Sequence, residues 1–302
     1  MPGVYSALSA AAVALVVVTA PGEALANPND ISIRGLGRPT SGAADDPAVL
    51  RFRNLANELA VAIAPRPLAP AETLGMNGFE FSLATIHTPI SADEPYWQGQ
   101  PGNPIFEGVT TGRDVPTAFW SPTAHIRKGL PLSTEVGIQG SYLAYSRMFA
   151  LGADFKIALH ESFFRWFPAL SARAAFGRLF GASDLDITTG EVDGIMSIPI
   201  GIGGMMQITP FAGGGMLFVH VNSQIIDETP YLVTDKVYDQ KAGWTGSLYN
   251  FPTIAWDENY HPRVFLGARF IYAFVELVYE FDIVLLGPNN VQSHAVKIGL
   301  DV

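Results

Sequence analysis

Cysteine is absent from all 302 residues, which excludes disulfides, thiolate metal sites and cysteine nucleophiles together. Charge is scarce too: charged residues make up 15% of the chain, and the balance is acidic, with a formal net charge of −10. That sign argues against nucleic acid, or anionic lipid headgroups, as main partners, because both demand a basic surface. Long apolar runs are missing except at the extreme N-terminus, although 48% of residues are hydrophobic and the mean hydropathy is +0.23. The chain is therefore too apolar for disorder, yet its apolar content is not packaged in membrane-spanning helices.

Catalytic signatures are missing as well. There is no P-loop, dinucleotide fingerprint, HExxH or GxSxG motif. His87, His125, His160, His220, His261 and His294 have no second ligand at metal-site spacing. No catalytic, metal or cofactor-binding residue is assigned, no cofactor is expected, and the chain is read as a non-enzyme. His160 near Ser162, and His220 ahead of Asn222 and Ser223, come nearest to a hydrolase. A strand histidine such as His220 is better explained by the lumen or an interface. Gly213, Gly214 and Gly215 precede no helix and so make no phosphate cradle. Strand glycines let a barrel bend or let an internal segment approach closely.

What is present starts with an export signal. Leu8 to Ala20 is almost wholly small or apolar, Pro21 and Gly22 break the run, and Ala24, Leu25 and Ala26 form an A-x-A cleavage site. Residues 1–26 are read as a signal peptide cleaved after Ala26, although Met1 to Ala7 carries no Lys or Arg. Residues 27–72 are read as a linker and an amphipathic helix, placed in the periplasm or as a plug. Asp45 or Asp46 caps the helix, Pro47 suits its first turn, and Val49, Phe52, Leu55, Leu59 and Ile63 recur at helical spacing until Pro65 and Pro67 stop it.

From about residue 75 the apolar period changes from 3.6 to 2. Leu132, Thr134, Val136, Ile138, Gly140 and Tyr142 alternate with Ser133, Glu135, Gly137, Gln139 and Ser141. Equivalent alternation runs through 151–160, 170–177, 263–270, 275–283 and 295–302, with Phe265 the exception on a polar face. Weaker strands fit 77–87, 118–128, 185–199 and 205–221, which makes ten. Each is about as long as a tilted strand needs to cross the hydrocarbon layer, roughly 9 to 11 residues.

A soluble sandwich or lipocalin-like barrel would alternate too. Three features favour the membrane. The polar faces are sparse and interleaved with Gly, Ala and Ser. Aromatics gather at strand ends, where Phe119, Trp120, Tyr142, Tyr145, Phe163, Phe164, Trp166, Phe167, Tyr272 and Phe274 are candidates for headgroup girdles. With both termini periplasmic, the long connections at 88–117 and 222–261 fall together on the outer side. The expected fold is all-β: an antiparallel transmembrane β-barrel over 73–302 with about ten strands, twelve if 229–256 adds a hairpin, preceded by a short helix.

The segment PALSARAAFGRLFGASDLD from Pro168 to Asp186, followed by Thr209, Pro210, Phe211, Ala212, Gly213 and Gly214, resembles Gram-negative outer-membrane β-barrel proteins. The terminal AVKIGLDV resembles the insertion signal of such barrels, but ends in Val302 where an aromatic is usual. Asn27 and Pro28, followed by an apolar segment before the first strand, are loosely similar to the long-chain fatty-acid transporter group. That likeness implies an N-terminal plug and sideways release of hydrophobic compounds, but from fourteen strands. The resemblance implies the bacterial outer membrane, with its lipid and the barrel-assembly machinery as partners.

Inward charges form the candidate site: Glu135, Asp154, Lys156, Arg173, Asp193, Arg263, Arg269, Glu276, Glu280, Asp282, Lys297 and Asp301. An Arg or Lys facing lipid at the midplane costs about 2 to 4 kcal/mol, so in a barrel these residues line the lumen. A turn centred on Tyr272 and Ala273 puts Arg269 opposite Glu276 and Arg263 opposite Asp282. Ten strands enclose too little room for a wide diffusive pore once such pairs cross it. The expected role is passage of a small or hydrophobic compound. The alternative is a structural or surface-recognition barrel whose long outer loops bind a partner.

Overall fold

A computed structural model describes residues 29–100, 102–106, 115–161, 167–228, 248–287 and 289–301. The signal-peptide reading, Phe163, Phe164, Trp166 and most of the proposed 229–256 hairpin lie outside them. Ten strands carry the fold: β1 (Phe79–Pro89), β2 (Ala118–Leu130), β3 (Thr134–Tyr142), β4 (Phe149–His160), β5 (Ala169–Phe180), β6 (Leu185–Ser197), β7 (Met206–Ser223), β8 (Tyr260–Tyr272), β9 (Val275–Val284) and β10 (Val291–Asp301). Each pairs antiparallel with its sequence neighbours, and β10 pairs with β1. The sheet thus closes and leaves no open edge.

The strand of Ile200–Ile202 only lengthens the hairpin into β7. Ile226–Asp227 and Leu248–Tyr249 pair with each other in a separate two-stranded sheet, so they add nothing to the barrel. Ten, not twelve, is the strand count.

Alternation sets the faces. Ile138, Leu151, Phe176, Val264, Leu266 and Ile298 are each at least half exposed, whereas Glu135, Arg173, Arg263 and Lys297 beside them are buried. Chain direction sorts the connections onto two ends. One end carries the long links between β1 and β2 and between β7 and β8, with shorter ones at 143–148, 181–184 and 285–290. The other carries the start of β1, the end of β10 and the remaining turns.

Exposed aromatics ring both ends: Trp120, Tyr142, Phe149, Phe180 and Tyr260 near the long connections, and Phe79, Phe167, Tyr272 and Phe274 at the opposite end. Phe119 departs from the girdle expected of it. Its neighbour Trp120 points out, so Phe119 points in, where it meets the rings of Trp97 and Phe106.

The β8–β9 register also differs from expectation. The turn sits on Ala273 and Phe274, one residue later, so Tyr272 pairs with Val275, Arg269 faces Val278 and Arg263 faces Val284. A slip of two in partner number preserves every side chain's face, which burial of the charges demands.

Phe265, the exception to the polar face, is buried and lies opposite Gly213, while Phe211 lies opposite Gly267. Each ring fills the space that a Cβ on the facing glycine would occupy. Close approach, not phosphate binding, is thus what Gly213 provides.

The helix is α1 (Pro47–Ile63), the range expected from its periodicity. Asp46 caps it, its side chain accepting from Ala48 N at 2.8 Å and from Thr40 and Ser41. Those bonds, foremost that from the Thr40 hydroxyl, hold the Asp46 carboxyl well below the usual carboxylate range.

Candidate functional site: the occluded lumen

An amphipathic helix on a surface keeps a polar face in water, but α1 has no such face over most of its length. Phe52, Leu55, Ala56, Leu59, Ala60 and Val61 are fully buried, and so are Asn57 and Glu58. The helix lies in the half of the barrel nearest the long connections. It shares one apolar cluster there with Ile187 of β6, Leu217, Val219 and Val221 of β7, and Tyr249, Phe251 and Ile254 of the β7–β8 connection. Phe52 stacks on Phe251 with centroids 4.5 Å apart.

Two polar side chains of α1 stitch this cap together. Glu58 accepts from Ser91 N at 3.0 Å, Ser91 Oγ at 2.6 Å, Tyr96 Oη at 2.8 Å and Trp97 Nε1 at 2.6 Å. Its helical position thus anchors the short helix α2 (Pro95–Gln98) of the β1–β2 connection over the mouth. Burial pushes the Tyr96 phenol up, which keeps it a donor to that carboxylate. Asn57 and Asn259 exchange hydrogen bonds at 2.7 and 3.2 Å.

Beyond α1 the chain runs on through the lumen as residues 64–74. Pro65, Pro67 and Pro70 lack an N–H, so the segment carries three fewer donors into the buried lumen. Barrel side chains hold four of those that remain. Leu68 N donates to Glu280 at 2.9 Å, Ala71 N to Ser197 Oγ at 3.1 Å, Thr73 N to Glu161 at 3.2 Å and Leu74 N to Glu135 at 3.1 Å. Lys156 Nζ donates to the carbonyls of Pro70 and Glu72 at 3.2 and 2.9 Å.

Eleven of the twelve inward charges named from the sequence are buried inside the barrel, none more than 8% exposed. Of Asp301 only the backbone is described, paired with Glu80. The buried charges form two linked clusters. In one, Arg127 pairs with Glu80 and, at 2.9 Å, with Glu135, while Lys156 reaches Glu135 at 3.2 Å. Lys297 joins Glu80, at 2.8 Å, to Glu276. In the other, Arg173 holds Glu191 and Asp193 at 2.9 and 2.8 Å, and Arg263 holds Glu191 and Asp282 at 2.8 and 2.9 Å. Asp154 lies between them, 3.2 Å from His125 and 3.8 Å from Arg173.

Arg263 therefore meets Asp282 as a diagonal neighbour, although the two are not register partners. Arg269 meets Glu72 of the plug at 2.9 Å, and its register partner is Val278, not Glu276. Arg66 of the plug pairs with Asp282 and donates to Ser293 Oγ at 3.0 Å.

Sequence reasoning missed Arg66, Glu80, Arg127 and Glu191. The last three were within reach, since each has the parity of an inward residue in a strand already placed. Arg66, between two prolines, carried no periodic signal.

Two cavities, of about 90 and about 10 Å³, lie at the long-connection end, beside Asp30 and Arg147 and beside Asn57 and Tyr96. Among the described residues no group of three or more His, Asp or Glu side chains is placed to hold a metal. His220 stacks on Trp256 at 5.6 Å and bonds Asn222 at 3.1 Å.

No family model matches the sequence, and no curated protein matches it. Solved structures that resemble it include an outer membrane channel from Pseudomonas putida F1, at 12% identity and a TM-score of 0.35, over 80% of this chain and 100% of that one. The N-terminal β-barrel domain of OprF from Pseudomonas aeruginosa aligns at 9% identity and a TM-score of 0.29, over 76% of this chain and 99% of the domain. Ail from Yersinia pestis aligns at 9% and 0.28, over 75% and 100%. These scores are too low to carry an argument about function. The likeness to the long-chain fatty-acid transporter group is not supported by them, and the strand count of ten differs from that group's fourteen.

Proposed function

We propose that this chain is a bacterial outer-membrane barrel kept closed by its own N-terminal segment, and that it acts at the surface through the mouth its long connections build. The outward apolar band and the two aromatic rings support a lipid setting. Export by a cleaved signal and recognition of β10 by the barrel-assembly machinery belong to the same reading. The observation that carries closure is the course of residues 64–74: an extended chain inside the barrel whose backbone polar groups are held by Glu280, Ser197, Glu161, Glu135 and Lys156. Surface recognition then falls to the cap of α1, α2 and the β7–β8 connection.

Passage of a small or hydrophobic compound, the other role the sequence suggests, requires the same segment to leave. Planar-bilayer recording of the refolded full-length chain tests closure. No steady conductance is expected, and deletion of 29–74 should create one. A Pro65→Cys/Gly152→Cys disulfide places a clamp where Pro65 lies against Gly152. Steady conductance that persists with the clamp oxidised would sink the reading.

A further inference from the structure

The N-terminal segment enters the barrel from the end opposite to the one expected. Asn29 donates from its backbone N to Tyr145 O and from its side chain to Ala144 O, both at 2.9 Å, in the β3–β4 connection. Asp30, which is buried, accepts from Arg147 N and pairs with the Arg147 guanidinium at 2.6 Å in that same connection. Ser32 Oγ and Ile33 N both reach Asp184, between β5 and β6, at 3.1 Å. All three contacts lie at the end with the long connections. Leu74, by contrast, leads into β1 at the opposite end, where β10 also finishes.

We infer that the chain emerges, ahead of Asn29, on the same face of the membrane as the long connections, so that the protein displays its N-terminus beside its surface loops. Returning to the far side would require a second passage through a lumen already filled by α1 and 64–74. The only other route, outside the wall, would leave backbone N–H and C=O groups unpaired in hydrocarbon. The closed β10–β1 seam offers no sideways entrance, so the segment enters end-on, N-terminus first, or before that seam forms. The fold thereby carries its own N-terminus across the membrane.

That this face is the cell exterior rests on the function proposed above. The absence of cysteine makes a clean test possible with three single-cysteine chains, Pro28→Cys, Glu258→Cys in the β7–β8 connection and Met205→Cys in the β6–β7 turn. Each would be labelled on intact cells with a membrane-impermeant maleimide, and a shift in gel migration on heating certifies each barrel. Pro28→Cys and Glu258→Cys should label to the same extent, and Met205→Cys only after permeabilisation. Labelling of Glu258→Cys without Pro28→Cys would overturn the inference. Exclusive labelling of Met205→Cys would overturn the orientation, while joint protection of Pro28→Cys and Glu258→Cys would still place both on one face.

Discussion

The two halves of the lumen are filled by opposite chemistry. Toward the long connections, helix α1 satisfies its own backbone and so can meet the wall with apolar side chains, as in a soluble core. Toward the start of β1, the extended residues 64–74 cannot pair with themselves, and the wall offers carboxylates, an ammonium and a hydroxyl in reply. The difference teaches what the inward charges are for. They compensate one another, and they also serve as the hydrogen-bonding partners that a strand-like plug needs when no strand is free to pair with it.

The sharpest way to break this contrast is to strand charges in the lower half. Lys297→Met leaves Glu80 and Glu276 each short of a cation and should cost about 3 to 5 kcal/mol. Urea titration of the refolded barrel in lipid vesicles reads that loss. A mutant as stable as the parent would mean that the lower half is not held by its charge network.

In the upper half a comparable loss requires a cavity. Leu55→Ala should cost about 3 kcal/mol, by removing apolar contacts in a site the rest of the barrel keeps rigid. It should also loosen the cap, so the 90–117 connection is expected to be cut sooner by protease. Equal protease resistance would separate α1 from the cap.

Smallest is the effect at the mouth. Asp46→Ala should cost about 1 kcal/mol through loss of the helix cap. Because the folded carboxyl lies below its ordinary value of 3.8, its contribution is complete above that pH and fades as pH falls toward the folded value. Acid sensitivity below pH 3.8 should therefore be smaller in Asp46→Ala than in the parent, read from helix content by circular dichroism.

Alternation was legible because each strand obeys a period of 2 wherever one face points outward with apolar side chains and the other meets the plug. Ile138 and Gln139 need no partner to declare opposite faces. α1 was equally legible, since Asp46, Pro47 and the apolar spacing are local signals. Less local was the pairing of charges. Arg269 reads the same whether its partner is Glu276 on the next strand or Glu72 in the plug, and only the placement of one turn residue and the path of a distant segment decide between them. Phe265 looked like an error of pattern until the glycine opposite it, Gly213, came into register.

By itself, then, the amino-acid order determined a barrel of about ten strands, the face of most strand residues and the length of the helix, because propensity, periodicity and turn chemistry act over a few residues. Tertiary structure alone decided that the helix lies inside the wall, that the chain enters from the mouth of the long connections, and which charges meet. Those outcomes depend on groups as far apart in sequence as Arg66 and Asp282, brought together only by closure of the sheet around a segment that has no strand to pair with.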